Sequence, residues 1–548
     1  MNPTRALTLS IALAAAVGMG ACTTAGQAPT RPGLSPLPGL AATEMPPPEP
    51  REFRAAWVAT VANIDWPSKP GLSAQAQRDE AVVMLDRARQ IGLNALILQI
   101  RPSADAIYPS TLEPWTEYLS GEQGRGPWLA GEQPWDPLAF WLAQAHQRGI
   151  ELHVWLNPYR ARQQGAKSAP SPQHVSVRQP ALVKRYGDQL WMDPGEPAAA
   201  AQTLAVVADV LRRYAVDGVH IDDYFYPYPI AHPGAAPTAQ PGAQPLAPPT
   251  LQAGAAADVP FPDDGSFARY VAGGGRLARD DWRRDSVNRL VQAMDQVVLR
   301  ERPGARMGVS PFGIGRPDRR PPGITGFSQY DKLYADVEQW FARGWMDYLA
   351  PQLYWPIDRA GQQFPVLLDY WLAQNTAQRH VWPGLFTSLV SRDENRGPRA
   401  WPAREIVDQV AVQRSRPAAS GHIHFSMVAL MQDRGGIATQ LRAGPYAVPA
   451  LVPPSPWRGS TPQPPPPASP ELKPTAGQVL IESSAAATAG TGSTVVLWAV
   501  WRRSAGQWRF SVQPAAERAV ATAGADALVV SAVDRWGQLS ARATTRLP

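Results

Sequence analysis

Strand-like and helix-like segments alternate throughout residues 51–445 of this 548-residue chain. Short runs rich in Val, Ile and Leu are followed by longer segments whose apolar residues recur at helical spacing. The predicted strands cover 53–61, 94–100, 151–157, 306–311, 346–352, 380–386 and 421–427, and the fourth in chain order ends at Asp222. Eight strands alternating with helices predict a (β/α)₈ TIM barrel. The alternative is a doubly wound open sheet, which would show fewer strands, and no glycine-rich phosphate loop follows the first strand.

The fourth predicted strand carries unusual chemistry at its end. It belongs to the stretch DGVHIDDYFYP at 217–227, which continues to Tyr228. Alternation turns Val219 and Ile221 toward the helices, and His220 and Asp222 toward the barrel mouth. Active sites of such barrels lie at the carboxyl ends of the strands. The stretch therefore predicts a site for sugar chemistry, with a carboxylate for acid or base work and the rings of tyrosines 224, 226 and 228 for stacking.

Polar and aromatic side chains also share one face at the ends of other strands, always at the carboxyl side. These are Gln99 and Arg101, then His153, Trp155 and Asn157, and finally Tyr348, Gln352 and Tyr354. Their common position favours one functional site over several unrelated core contacts.

Hydrolysis of a glycosidic bond usually needs two carboxyl groups, one on either side of the bond. Asp222 is the first candidate, because alternation aims it into the mouth, where His220 would hydrogen-bond it. Asp223 turns inward only if the strand ends there, and Asp105, after the second strand, is an equal choice for the second carboxylate. Other carboxylates on neighbouring loops stay open as alternatives: Asp65, Glu113 and Asp358.

A larger set of residues is predicted to bind sugar hydroxyl, acetamido or lactyl groups, or to stack on rings. The set is Asp65, Trp66, Gln99, Arg101, Tyr108, Asn157, Arg160, His220, Tyr226, Gln352, Tyr354 and Trp355. No cofactor is expected. The histidines form no His-Glu-x-x-His pattern, which disfavours a metal-dependent deacetylase or amidase.

The amino terminus predicts export and lipid anchoring. Arg5 precedes an apolar run over 6–17, and small residues lead to Cys22, the single cysteine of the chain. Residues 1–22 thus read as a secretory signal whose end resembles a bacterial lipobox, and the alternative is an ordinary cleaved signal with an unrelated cysteine. Thr23 after the cysteine is typical of outer-membrane lipoproteins. Residues 23–50, rich in proline, predict an extended tether.

Proline-rich segments mark further boundaries. A Pro/Ala-rich insertion covers 230–262, and a second Pro-rich linker covers 446–474. Short strand-like runs over 475–548 predict a small β-sandwich. Residues 530–540 of this module resemble the end of a fibronectin type III or immunoglobulin-like domain.

The net charge is +6, which is mild for this length, and the arginines are scattered. No nucleic-acid motif is present, so nucleic acid is not an expected partner. One cysteine leaves the mature chain without an internal disulfide.

Several motifs together resemble one family, the bacterial glycosyl-hydrolase-like family 10 domain, over about residues 51–445. They are RAAWVATV at 54–61, IDWPS at 64–68, QIRP at 99–102, WLNPYR at 155–160, GVHIDDY at 218–224 and QLYWP at 352–356. The resemblance implies a TIM barrel that hydrolyses peptidoglycan glycan strands, in particular peptide-stripped ones. It also implies an outer-membrane lipoprotein facing the periplasm, with cell-division or other envelope proteins as partners.

Two features limit how much of the mechanism and function can be expected from this resemblance. The stretch 217–224 also echoes the chitinase-like pattern Asp-Gly-x-Asp-x-Asp-x-Glu. His220 and Tyr224 replace two of its acids, so substrate-assisted catalysis is not expected. The competing interpretation is a non-catalytic lipoprotein that binds glycans through the same barrel.

Overall fold

The computed structural model of the chain describes residues 40–231, 258–391, 400–458, 465–482 and 493–547. Cys22 and most of the Pro/Ala-rich insertion lie outside these residues. A nine-stranded parallel sheet forms the centre. Its strands are β1 (Phe53–Val58), β2 (Ala95–Arg101), β3 (Glu151–Leu156), β4 (Gly218–Ile221), β5 (Arg306–Val309), β6 (Tyr348–Leu349), β7 (His380–Val381), β8 (Gly384–Leu385) and β9 (Gly421–His424).

The two ends of this sheet are consecutive pieces of one segment. The strand order is β7-β6-β5-β4-β3-β2-β1-β9-β8, and only Trp382 and Pro383 separate β7 from β8. Trp382 N–H donates to the Leu349 carbonyl on one side, and Ile423 N–H donates to the Pro383 carbonyl on the other. Pro383 has no N–H to donate, which explains the break. The sheet therefore curls until its ends meet, as in a TIM barrel.

Helices surround the sheet, as the alternating sequence pattern predicts. The main ones are α1 (Ala74–Ile91), α2 (Pro137–Gln147), α3 (Pro197–Arg213), α4 (Arg279–Glu301), α5 (Val337–Arg343), α6 (Phe364–Ala373), α7 (Ala403–Arg414) and α8 (Ile437–Ala443). Shorter α-helices cover Glu117–Ser120, Val175–Arg178, Asp264–Ala272, Gln329–Lys332 and Met427–Met431. The bounds of α1 follow from local chemistry. The Ser73 hydroxyl accepts from Ala76 N–H at one end, and Gly92 takes a φ of 98° at the other.

Close packing inside the barrel depends on two glycines. A Cβ at Gly218 would lie 2.5 Å from Nδ1 of His153, and one at Gly308 would lie 1.9 Å from the Tyr348 ring. The missing side chains make room for these two rings in the barrel interior. Strands β1 and β2 are buried on both faces, as is usual for parallel strands covered by helices.

The carboxyl-terminal region forms two antiparallel sheets. One contains Gln507–Pro514, Val495–Ser504, Ala527–Asp534 and Ala543–Arg546, and the other contains Glu471–Thr475, Gln478–Glu482 and Ala519–Ala521. Val479 and Ile481 of the smaller sheet pack against Trp498, Leu528 and Val530 of the larger one. The predicted two-sheet module is thus confirmed, although Ala519–Ala521 is too short to stand out in the sequence.

The proline-rich segments next to the barrel are packed rather than extended. Of the predicted tether, residues 40–50 lie against the larger carboxyl-terminal sheet, where Leu40 and Met45 contact its apolar cluster. The Arg542 guanidinium donates to the carbonyls of Pro46 and Pro47. Of the predicted linker, 446–458 runs along the barrel, and Leu451 N–H bonds to the Pro50 carbonyl. Residues 232–257 and 459–464 lie outside the described part.

A small antiparallel sheet follows β3 and contributes to the barrel mouth. It consists of Arg160–Arg162, Val183–Tyr186 and Gln189–Met192. Within the described ranges, none of the helices is long and apolar enough to cross a membrane.

Candidate active site

A cleft of about 610 Å³ opens at the carboxyl ends of the barrel strands. Six aromatic residues line it: Trp57, Trp155, Tyr224, Tyr228, Tyr354 and Phe425. Its polar groups are Arg160, Gln163, Asp222, Asp223, Ser310 and Gln352. A carboxylate pair among aromatic rings is the arrangement expected where a sugar is bound and its glycosidic bond is attacked.

Strand register places Asp222 beside Asn157. Trp155 pairs with His220 across β3 and β4, so the residue two positions beyond each lies at the same level. Asp222 Oδ2 accepts from the Trp155 indole N–H (2.9 Å) and from the Asn157 amide. The carboxyl is therefore held in one orientation by groups on the neighbouring strand.

The surroundings of Asp222 favour its protonated form. Burial and the negative charge of Asp223 raise the pKa of this carboxyl to about 7, although the Arg160 charge and the Trp155 hydrogen bond lower it. An aspartate in water has a pKa near 4. Asp222 can therefore carry a proton at neutral pH, as a general acid must.

Asp223 faces the same cleft because β4 ends at Ile221. The regular alternation that would have turned it outward stops there, and the Tyr228 hydroxyl donates to its Oδ2. Burial raises the pKa of Asp223 to about 6, and the hydrogen bonds from Tyr228 and Gln352 oppose this effect. The structure thus brings together two adjacent carboxyl groups that share surroundings but differ in their hydrogen-bond donors.

Arg160 is the cation closest to the pair. Its guanidinium lies 4.8 Å from the centre of the Tyr224 ring and donates to Asn157 Oδ1 (2.6 Å) and to the Pro102 carbonyl (3.0 Å). Its charge lowers the pKa of both aspartates. Because it stacks on Tyr224 and does not form an ion pair with either carboxylate, it only partly offsets their burial.

His220 lies beneath the cleft and fixes the direction of several hydrogen bonds. The Trp57 indole N–H donates to its Nε2 (3.1 Å), so the ring hydrogen must sit on Nδ1, 3.0 Å from the Tyr348 hydroxyl. The Ser310 hydroxyl, 2.9 Å from the same Nε2, therefore donates as well. Burial holds the pKa of His220 well below its usual range, so the ring is neutral. Ser310 is left with only lone pairs to offer a ligand.

Two more predicted binding residues support the site from behind. Gln99 Nε2 donates to Asn157 Oδ1 (2.7 Å), and Gln99 Oε1 accepts from the amides of Thr60 and Val61. Asn157 in turn donates to Asp222. Gln99, Asn157 and His220 are fully buried, so the prediction that they bind sugar is corrected: they position the groups that line the cleft.

Asp65 and Trp66 also have internal partners. Asp65 accepts from Ala59 N–H (2.7 Å), Val428 N–H (2.7 Å) and the Ser426 hydroxyl (2.9 Å). It thereby ties the loop after β1 to the segment after β9, and burial raises its pKa to about 6. Trp66 is fully buried and donates to the Gln77 carbonyl. Both hold loops together and do not face the cleft.

Arg101 forms a buried ion pair with Glu113. Its guanidinium makes two hydrogen bonds to Glu113, at 2.7 and 2.6 Å, and another to the Asn157 carbonyl. No N–H of Arg101 remains aimed at the cleft. Because both oxygens of Glu113 are held by Arg101, Glu113 is not a catalytic candidate either.

Three aromatic residues predicted to bind substrate pack away from the cleft. Tyr108 lies edge-on to Tyr214, Tyr226 packs on Phe261 and Tyr334, and Trp355 packs on Phe312. Alternation along the aromatic cluster explains the position of Tyr226, because Tyr224 and Tyr228 face the cleft while Tyr226 faces away from it, toward Phe261 and Tyr334.

Asp105 lies in a smaller neighbouring cavity rather than beside Asp222. Its oxygens accept from Ser103 N–H and from the Gln123 amide, both at 3.0 Å. Burial raises its pKa. Of the two leading candidates for the second carboxylate, Asp223 lies in the cleft with Asp222, and Asp105 does not.

Sequence reasoning missed five residues that line the cleft: Trp57, Val61, Gln163, Ser310 and Phe425. Ser310 and Phe425 directly follow β5 and β9, so their position at strand ends was a usable signal. Gln163 follows a short strand that the alternation did not reveal. Among the described residues, His, Cys, Asp and Glu form no group of three or more that could hold a metal ion.

A TIM-barrel-like fold with a buried carboxylate pair and aromatic walls at its strand ends defines a glycoside hydrolase. The sequence profile of the family described as glycosyl hydrolase-like 10 matches residues 52–401. The chain belongs to this family.

Two relatives agree in sequence with this assignment. The chain is 37% identical over 417 residues to the glycosyl hydrolase YngK of Bacillus subtilis, covering 75% of each protein. It is 31% identical over 338 residues to the glycosyl hydrolase DigH of Escherichia coli, covering 58% of this chain and 69% of that one. Among solved structures, the glycoside hydrolase domain of PgaB (BpsB) from Bordetella bronchiseptica aligns with 72% of this chain and 98% of its own, at 12% identity and a TM-score of 0.45.

Proposed function

We propose that this glycoside hydrolase cleaves the glycan strands of peptidoglycan, in particular strands from which the peptides have been removed. The observation that carries the chemistry is the buried pair of Asp222 and Asp223, whose pKa values of about 7 and 6 let it hold one proton near neutral pH. The choice of substrate is supported by the predicted export of the chain to the cell envelope. An open, ring-walled cleft suits a polysaccharide.

In the proposed mechanism the two carboxyl groups act in opposite protonation states. Asp222, with the higher pKa, donates its proton to the oxygen of the leaving sugar. Asp223, with the lower pKa, is ionised and supplies negative charge to the oxocarbenium-like transition state. Once Asp222 has lost its proton, it can take one from the incoming water. Ser310 accepts a hydrogen bond from the sugar, and Tyr224, Tyr228 and Tyr354 stack on pyranose faces.

We further propose that the protein works at the outer membrane, facing the periplasm, held by a lipid on Cys22. The carboxyl-terminal module then acts as a fibronectin-like spacer or as a contact for cell-division or other envelope proteins. Lipid labelling of the wild-type chain and of Cys22→Ser tests the anchor. Label on the wild type alone is the expected result, and equal labelling would exclude this cysteine.

The test of activity uses the chain lacking residues 1–22 and purified peptidoglycan, either intact or stripped by an amidase. Products are read by mass spectrometry beside the Asp222→Asn variant. Glycan fragments from stripped strands are expected with the wild type and absent with the variant. Co-sedimentation with the glycan but no fragments would favour the glycan-binding alternative instead.

A further inference from the structure

A second, smaller cavity lies next to the catalytic cleft, between the loops that follow β2 and β3. It is smaller than the cleft, so it is a side pocket and not a second active site. Gln163 lines both spaces. A polymer crossing the barrel mouth would therefore reach this cavity with the part next to the cleaved unit.

The Ser103 hydroxyl is the notable group of the cavity wall. Ser103 is 5% exposed, and its Oγ has no hydrogen-bond partner within the described part of the chain. A buried hydroxyl without a partner costs free energy, so such groups are rare in folded proteins. One that lines a cavity beside an active site is accounted for if a ligand group completes its hydrogen bond.

The carboxylates of the cavity are already engaged. Asp105 accepts from Ser103 N–H and the Gln123 amide, and Glu117 Oε2 accepts from the amides of Lys167 (3.0 Å) and Ser168 (2.7 Å). The Arg162 guanidinium uses one nitrogen, Nη2, to donate to the carbonyls of Ala166 and Ser168. These bonds join the two loops and form the cavity before any ligand arrives.

The groups left for a ligand are the Ser103 hydroxyl, the Gln163 amide and the N–H groups of Arg162 other than those on Nη2. The hydroxyl and the amide can donate and accept, and the guanidinium can only donate. A cationic ligand group would have to displace existing bonds of Asp105 or Glu117 to find a counter-ion. A hydroxyl or carboxamide oxygen would find complementary donors.

We propose that this cavity is a subsite that binds a hydrogen-bond-accepting substituent, a hydroxymethyl or acetamido group, of the sugar next to the one cleaved. The proposal rests on the proposed function, because it assumes that the substrate is a glycan strand. Its consequence is that chain length and the substituent of the adjoining sugar affect turnover.

A pair of matched variants tests the subsite. Ala166→Leu places a larger side chain in the cavity, and Ala169→Leu makes the same change at an exposed position of the same loop. Turnover is measured on a ladder of peptide-stripped glycan oligosaccharides. Ala166→Leu is expected to lower kcat/KM on long oligosaccharides about tenfold, the effect of losing one or two neutral hydrogen bonds, and to leave the shortest cleaved one unchanged. Ala169→Leu should match the wild type at every length.

Ser103→Ala separates a binding role from a structural one. Removing a hydroxyl that has no partner should leave Tm unchanged, yet lower kcat/KM on long oligosaccharides. N-deacetylated oligosaccharides, which carry an ammonium group, report which substituent is bound. If they lose the length dependence, the group is acetamido, and if they keep it, the group is hydroxymethyl.

The outcomes distinguish failure of the subsite proposal from failure of the proposed function on which it rests. If the wild type cleaves glycans and Ala166→Leu behaves like Ala169→Leu at all lengths, the subsite is refuted while the proposed function stands. If the wild type cleaves no glycan, the proposed function fails, and calorimetric binding of the same ladder decides the subsite. A length-dependent loss of affinity in Ala166→Leu alone would support it, and equal affinities would refute it.

Discussion

The two ends of the barrel bury carboxylates in opposite electrostatic surroundings. At the mouth, Asp222 and Asp223 have raised pKa values, and the nearest guanidinium stacks on a ring. At the base, Glu52 accepts from Arg54 (2.6 Å) and from Arg414 (2.7 and 2.9 Å). Burial raises the pKa of Glu52, but the Arg414 hydrogen bond and the nearby positive charges bring it to about 2.

Asp217 repeats the pattern at the base. It accepts from His146, Leu152 N–H and Arg535, each at 2.8 Å, and these groups lower its pKa despite burial. Burial alone therefore does not make a carboxylate chemically active. What differs is whether a cation forms an ion pair with the carboxylate. Arg160 at the mouth pairs with neither Asp222 nor Asp223 and only partly offsets their burial.

The largest expected effect concerns activity at the mouth. Asp222→Asn should lower kcat on stripped glycan strands by about a thousandfold or more, because an amide cannot donate the proton that the leaving oxygen needs. Asp105→Asn serves as the control and should stay within about tenfold, because Asp105 lies outside the catalytic cleft. Equal losses in the two variants would contradict the assignment of the pair.

The next effect concerns stability at the base. Glu52→Gln should lower the free energy of unfolding by about 3 kcal/mol at pH 7, because it leaves two guanidinium groups without their buried partner. The folded-state pKa of Glu52 is lowered, so its contribution exists above its ordinary pKa and is lost as pH falls toward about 2. Urea unfolding of Glu52→Gln and of the exposed Glu471→Gln measures this, and equal stabilities would remove the contrast between the two ends.

A smaller effect of opposite sign is expected for stability at the mouth. The folded-state pKa of Asp222 is raised to about 7, so its protonated form is favoured and its contribution is lost as pH rises through 7. Asp222→Asn cannot ionise and should raise Tm at pH 8 by about 2 °C or more, with a gain that shrinks toward pH 4. Thermal unfolding across this range tests the prediction, which a lower Tm at pH 8 would contradict.

The smallest expected effect is a shift in pH dependence. Trp155→Phe removes the indole hydrogen bond that lowers the pKa of Asp222. The alkaline limb of kcat/KM, near pH 7 in the wild type, should therefore move up by a few tenths of a pH unit. The acidic limb reports Asp223, which Trp155 does not contact, and should stay near pH 6. A downward shift of the alkaline limb would show that another group controls it.

Much of the architecture could be predicted from local patterns. The alternation of strands and helices could be predicted, and the serine cap and glycine stop of α1 act within a few residues of the chain. The cleft position of Asp222 could also be predicted, since alternation along one strand fixes the direction of its side chain. Gln352, Tyr354 and Arg160, predicted from the same strand-end reasoning, line the cleft as well.

The sequence by itself therefore predicted the alternating barrel, the position of the cleft at the strand ends and the place of Asp222 in it. The tertiary structure alone decided which strand-end residues were free to meet a ligand. Arg101 is held in an ion pair with Glu113. Asp65 accepts hydrogen bonds from groups 361 and 363 residues away in the chain, which no local pattern can reveal. It also decided that Asp223 joins Asp222, because the strand ends at Ile221 only where its neighbours stop pairing with it. The reason is physical: side-chain direction is set locally, but burial and hydrogen-bond partners are set by whatever the fold brings near.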